Sequence, residues 1–145
     1  TLEALAHHYV CEGVRLVPMM DAQKGNVYAQ EFTWRADGDA LTLHEESSLA
    51  ILPLTEVIAG LSKTEQPVLL LGDAMQRKVD VELPVNVRLA PIHARMPRAA
   101  CVGLAALTRL ARGETDDPVT AVPLYLRRSE AEVLWEKRHG TEGAQ

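Results

Sequence analysis

Residues 14–34 read VRLVPMMDAQKGNVYAQEFTW, and this stretch decides the fold. An apolar run from Val14 to Met20 ends on Asp21 and turns through Gln23, Lys24 and Gly25. The chain then returns as 26–36, where Tyr28, Phe32 and Trp34 recur at even spacing. Alternation marks a strand, because successive side chains point to opposite faces of the pleat. The stretch is therefore read as a hairpin with a lone carboxylate and a glycine turn at its head. Asp37-Gly38 signals a second tight turn, and 41–49 returns as a third strand.

Outward from the hairpin, the periodicity changes. Leu2, Leu5, Ala6 and Tyr9 stand at helical spacing with Thr1 as N-cap, and Gly13 is expected to end that helix. Leu54, Val57, Ile58 and Leu61 form the apolar face of a second helix. The run VLLLGD at 68–73 is short and wholly apolar before its end, as in a strand buried on both faces. Residues 74–82 fit a short helix or a loop, and 86–90 a further strand. A long helix is expected over 94–113, with Pro97 in its first turn and Gly113 closing it. Beyond it come a loop, an extended VPLYLRR at 122–128, and a short helix over 129–140.

After the first helix the expected order is β-β-β-α-β-α-β-α, a five-stranded mixed sheet. That is the element order of the α/β ribonuclease H-like fold, shared by actin-like and sugar-kinase ATPases. The expected division is 1–13 as a leading helix at the junction to a preceding N-terminal lobe, 14–113 as the ribonuclease H-like lobe, and 114–145 as an extension. In open α/β sheets ligands bind beyond the carboxyl ends of the strands, at the switch point. Asp21 and Asp73 end strands that this topology makes neighbours.

Composition narrows the function classes. A chain of 145 residues supports one substantial core. Its net charge of −5 disfavours sequence-independent nucleic-acid binding, which needs clustered Lys and Arg. Aromatic residues are only 4%, so the core must be aliphatic. Cys11 and Cys101 both sit in apolar helical patterns, the setting of buried free thiols in a reducing cytoplasm. No apolar run approaches the ~20 residues of a membrane span. The chain starts at Thr1 directly in a helical pattern and reads as a piece of a longer protein.

Three readings fit the Asp21–Asp73 corner. Asp21, Asp73 and a helix carboxylate such as Glu56 would make a two-metal nuclease, or Asp21 and Asp73 would serve a nucleotide-binding ATPase lobe. Alternatively, the N–H groups of Gln23 to Asn26 would cradle a phosphate, with Lys24 and Gly25 in the turn and Gly72 letting a nucleotide approach. In the third reading these residues only close a hairpin and end a strand, as Asp and Gly commonly do.

The same residues carry a resemblance. LEALA before a strand, then DAQKGNVYAQEF, LLLGDA, GLAAL and finally VPLYLRRSEAEVLWEK resemble, in that order, the C-terminal half of the TsaB (YeaZ) family. The resemblance implies an inactive relative of the actin-like ATPases, with no catalytic residue and no cofactor of its own. It implies partners: a TsaD-like catalytic paralogue and a TsaE-like ATPase, to which the ATP belongs. Together these add threonylcarbamoyl to adenosine beside the anticodon of ANN-reading tRNAs, and the TsaB-like subunit would touch tRNA only indirectly. The family's N-terminal lobe, which carries most of its dimer and TsaD contacts, has no counterpart here. Apolar surface near the first helix is thus expected to be exposed and to favour self-association. The family commonly has a basic residue where Gln23 stands and an acidic one where Asn26 stands, so the corner is expected to be vestigial.

Other residues draw plainer readings. His7 and Cys11 lie one turn apart beside His8, but zinc asks for three or four ligands and His44, His93 and His139 are scattered. No metal site is expected. Ser47 and Ser48 lack a G-x-S-x-G elbow and suit a strand end. Tyr28, Phe32 and Trp34, with only Arg35 as a basic neighbour, suit a sheet covering better than a base-stacking platform. Leu134 and Trp135 are candidate anchors for a partner, since aromatic anchors dominate interface energies.

Overall fold

The structure, a computed structural model, describes residues 1–76, 81–124, 126, 135 and 138. Elements bounded within the described residues include the α-helices α1 (Leu2–Ala6), α2 (Leu54–Leu61) and α3 (Ala99–Ala111). The strands are β1 (Arg15–Asp21), β2 (Asn26–Ala29), β3 (Phe32–Asp37), β4 (Ala40–Glu45), β5 (Ala50–Pro53), β6 (Val68–Leu71) and β7 (Val87–Leu89). The chain divides into a unit of 1–115, which holds all of these elements, and a second of 116–145.

All seven strands form one mixed sheet around β1. On one side β6 runs parallel to β1 along Arg15–Pro18, and β7 runs parallel to β6. On the other side β1 is shared: Arg15 and Leu16 pair antiparallel with β3, and Met19 to Asp21 pair antiparallel with β2. β4 then pairs with β3, and β5 with β2. Five strands in antiparallel pairings thus precede α2, and two strands in parallel pairings follow it.

The strand count differs from the five expected, because the second and third strands are each broken in two. Pro18 explains the first break. Leu16 pairs with Phe32 and Met19 with Ala29, so Val17 and Pro18 face Gln30 and Glu31 across the gap. Proline has no N–H to give the ladder. The outer strand breaks at the same level but with more chain: four residues separate β4 from β5, against two between β2 and β3. This surplus bulges over the gap, and its groups satisfy the gap's polar atoms. Glu31 N–H donates to Ser47 Oγ at 2.9 Å, the Gln30 side-chain amide to the Ser47 carbonyl at 3.2 Å, and Glu46 N–H to the Glu31 carbonyl at 2.8 Å.

Each face of the sheet has its own core. Val17, Met19, Val27 and Ala29 pack with Leu54, Ile58 and Leu61 of α2. Leu16, Phe32 and Trp34 pack with Leu2, Leu5 and Ala6 of α1. Tyr28, Phe32 and Trp34 do share one face, as the alternation predicts.

Helix boundaries depart from the sequence reading in three places. α1 ends at Ala6, well before Gly13, and Tyr9 lies outside it. α3 begins after Pro97, with Arg98 as its N-cap. Between β6 and β7 the described residues hold only a 3-10 turn, Ala74–Gln76. Gly113 closes α3 as expected: it holds φ at +75°, its N–H meets the Leu110 carbonyl, and Glu114 N–H meets the Arg109 carbonyl, a Schellman cap. Leu2, Leu5 and Ala6 of α1 are buried; exposed apolar side chains include Val10, just past α1, and Val102, Leu104, Leu107 and Leu110 of α3.

Within 116–145, a turn centres on Asp117, whose carboxylate accepts the Val119 N–H at 2.9 Å. Trp135 is exposed. Leu134, and most of the extended segment and helix expected at 122–140, lie outside the described residues.

Candidate functional site

The parallel register of β1 and β6 brings Asp21 and Asp73 together, as the topology predicts. The Asp21 N–H donates to an Asp73 carboxylate oxygen at 3.3 Å. The Asp21 carboxylate in turn accepts the Gln23 N–H at 2.9 Å, closing an Asx turn. That turn lets the chain take three successive left-handed residues, Gln23 (φ +66°), Lys24 (φ +55°) and Gly25 (φ +79°). Two of the three are not glycine, and each such residue costs about 1 kcal/mol or more. The loop's hydrogen bonds offset this: Ala22 N–H to the Asn26 carbonyl at 2.9 Å and Asn26 N–H to the Gln23 carbonyl at 3.0 Å. The Gly25 carbonyl accepts the Leu54 N–H, the first amide of α2, at 3.0 Å.

Two features of the ligand readings meet different occupants. The Gln23 and Asn26 N–H groups, half of the proposed phosphate cradle, donate within the loop. Gly72 does permit a close backbone approach, but the group that approaches is the Met19 carbonyl: a Cβ on Gly72 would stand 2.0 Å from that oxygen. Gly72 is the residue that lets β1 and β6 leave the sheet side by side.

The nuclease triad does not assemble. Glu56 is exposed on the first turn of α2, beside a cavity of about 490 Å3 over the strand break that Gln30, Glu31, Ser47 and Ser48 also line. Among the described residues no three His, Cys, Asp or Glu side chains gather as a metal-ligand set.

His7, His8 and Cys11 are each engaged separately. His7 Nδ1 lies 2.9 Å from the Glu3 carbonyl, and its ring stands edge-on to Trp34 with centroids 5.2 Å apart. His8 Nε2 is buried without a hydrogen-bond partner among the described residues; burial, then the nearby Arg98 charge, lower its pKa. Burial pushes the Cys11 thiol up, away from thiolate chemistry. Both cysteines are free. Ser47 has the strand-end role its context predicts, and the Trp34 indole donates to the Ala6 carbonyl at 3.4 Å rather than presenting a stacking face.

A second cavity, about 320 Å3, lies between α1, the β3–β4 hairpin and the last turn of α3. Its charged groups, among them Arg109, Arg112, Glu45 and Glu114, follow no sequence motif, because they meet only through tertiary packing. Among the described residues no helix is long and apolar enough to cross a membrane.

No protein-family model matches the chain, and no curated protein matches it. Solved structures do. A Pseudomonas aeruginosa protein described as similar to peptidase YeaZ superposes with a TM-score of 0.61 at 23% identity, over 87% of this chain and 56% of that one. YeaZ from Pseudomonas aeruginosa superposes with a TM-score of 0.61 at 22% identity, over 86% and 56%. The fold is thus the α/β fold of the YeaZ structures, and this chain spans little more than half of their length.

Proposed function

We propose that the chain is a TsaB-like, non-catalytic scaffold or activator within an assembly that adds threonylcarbamoyl to adenosine beside the tRNA anticodon. Its sheet is read as a ribonuclease H-like lobe of the actin-like ATPase type, working in the cytoplasm. A TsaD-like paralogue and a TsaE-like ATPase supply the chemistry and use the ATP, and tRNA is contacted only through them.

The observation that carries this reading is the corner where an active relative would hold its phosphate. The Asp73 carboxylate takes the Asp21 N–H, the Asp21 carboxylate takes the Gln23 N–H, and Gly72 is filled by the Met19 carbonyl. Each group works in holding the backbone. The YeaZ-like fold and the ordered motifs of the sequence support the same assignment. The resemblance also implies self-association near the first helix, where Val10 is exposed and α3 adds exposed Val102, Leu104, Leu107 and Leu110.

Reconstitution tests it. The chain is added to a TsaD-like and a TsaE-like protein with tRNA, ATP and threonylcarbamoyl donor, and modified nucleoside is measured. Stimulation by the chain, with no ATP hydrolysis or magnesium-dependent cleavage of RNA/DNA hybrid by the chain alone, is expected. Cleavage or hydrolysis that disappears in Asp21→Asn would establish the enzyme reading instead.

A further inference from the structure

We propose that the cavity between α1, the β3–β4 hairpin and the end of α3 binds a small zwitterion, a free α-amino acid with an apolar side chain. The cavity has a simple origin. α1 is only five residues long, so the helical layer stops short of the edge strand. The face of β4 that carries Leu41, Leu43 and Glu45 pairs with the face of β3 that carries Trp34 and Phe32; α1 buries Trp34 and Phe32, and the β4 side is left as a floor at the edges of these rings. Its volume, about 320 Å3, is at the small end of ligand pockets.

The walls carry charge of both signs above that apolar floor. Arg109 of α3 is committed to Glu3 of α1 at 2.7 Å, which fixes the two helices as one wall. Arg112, one turn further along, makes no side-chain hydrogen bond or ion pair with a described residue, and it also lines the cavity. Glu45 and Glu114 line it too, and neither carboxylate is paired with a described residue. Both are near enough to act electrostatically on Arg109. Among the described residues this leaves one guanidinium and two carboxylates without a direct ion-pair partner around Leu41 and Leu43. A simple anion would meet the two carboxylates, and a simple cation would meet Arg112. A molecule with both charges on one carbon satisfies both: its carboxylate on Arg112, its ammonium on Glu45 and Glu114, its side chain on the floor. Arg112 is suited to the carboxylate by its planar fork of donors.

The test uses the 145-residue chain and three probes: leucine, leucinamide and N-acetylleucine. Binding is followed by NMR at the Trp34 indole resonance. Leucine is expected to bind saturably, with leucinamide and N-acetylleucine each weaker by about tenfold. Arg112→Gln is expected to abolish the preference for leucine over leucinamide. The double variant Glu45→Gln/Glu114→Gln is expected to abolish the preference over N-acetylleucine. These side chains are exposed, so the variants keep the fold. No saturable leucine binding up to about 10 mM, equal binding of leucine and leucinamide, or variants that bind like the parent would each overturn the proposal.

Discussion

Gly72 and Met19 meet backbone to backbone: a Cβ on Gly72 would lie 2.0 Å from the Met19 carbonyl oxygen, and Gly72 holds φ at +90°. Both facts act against any other residue. The obstacle is main chain in the central strand of the sheet, which has no room to withdraw. Gly72→Ala is therefore expected to lower stability by about 3 kcal/mol or more, read from urea unfolding. A loss within ~0.5 kcal/mol, the range of an ordinary surface change, would show that the two strands separate more easily than this contact implies.

Asp21 separates the structural reading of the corner from the catalytic one. Its carboxylate oxygen is an acceptor for the Gln23 N–H, and an asparagine carbonyl can do the same. Asp21→Asn is expected to change stability by less than ~0.5 kcal/mol and to leave stimulation in the reconstituted assay unchanged. Asp21→Ala removes the acceptor while Gln23 and Lys24 stay left-handed, and should cost about 1–2 kcal/mol. A large loss of function in Asp21→Asn with unfolding unchanged would mean that the negative charge itself is used.

Asn86 is a latch that no motif announces. Its side-chain –NH2 lies 3.2 Å from the Leu61 carbonyl, 2.9 Å from that of Thr64 and 3.2 Å from that of Gln66, so its two hydrogens are shared among three acceptors. These carbonyls span the connection from α2 to β6, and the Asn86 carbonyl accepts the Val68 N–H at 2.9 Å. Asn86→Ala leaves three half-buried acceptors short of a donor and is expected to cost about 2 kcal/mol. Hydrogen exchange should speed up from 62 to 67 while β1 stays protected. Uniform loss of protection would show instead that the connection opens only with the whole domain.

Legibility followed the range of the forces involved. α2 and the Gly113 cap were readable because helical spacing and a left-handed glycine act within a turn of chain. The Asp21–Asp73 contact, 52 residues apart in sequence, was readable through element order and the parallel pairing it implies. The break at Gln30–Glu31 was hidden by alternation that runs on through Tyr28, Phe32 and Trp34. Its signal was Pro18 in the partner strand, where a missing N–H falls opposite the gap. α1 stopped early because helical spacing through Tyr9 does not require helical backbone, and His7 and Trp34 pack edge-on just past its end. The cavity holding Arg112 draws on residues 3 to 114, a grouping no local pattern encodes.

Acid should weaken the fold in two separate steps, one at His8 and one at Glu46. His8 is held below its ordinary 6.5 by burial and then by Arg98, so the unfolded chain takes up its proton first. Stability from neutral His8 is present above pH 6.5 and falls as pH drops below it, levelling once the folded form also protonates. Glu46 is held below its ordinary 4.5, first by the Thr33 hydroxyl, which donates to it at 2.5 Å, against an opposing effect of burial, and further by Arg35. Its contribution is present above pH 4.5 and is lost as pH falls through its lowered value. Urea midpoints measured across this range should show both slopes. His8→Leu should flatten the upper slope and raise stability at pH 5, about the level where His8 is costly, because the partnerless Nε2 is gone. Glu46→Gln should flatten only the lower one. If His8→Leu left the upper slope intact, the proton taken up there would belong to another group, and the burial of Nε2 would carry no pH dependence.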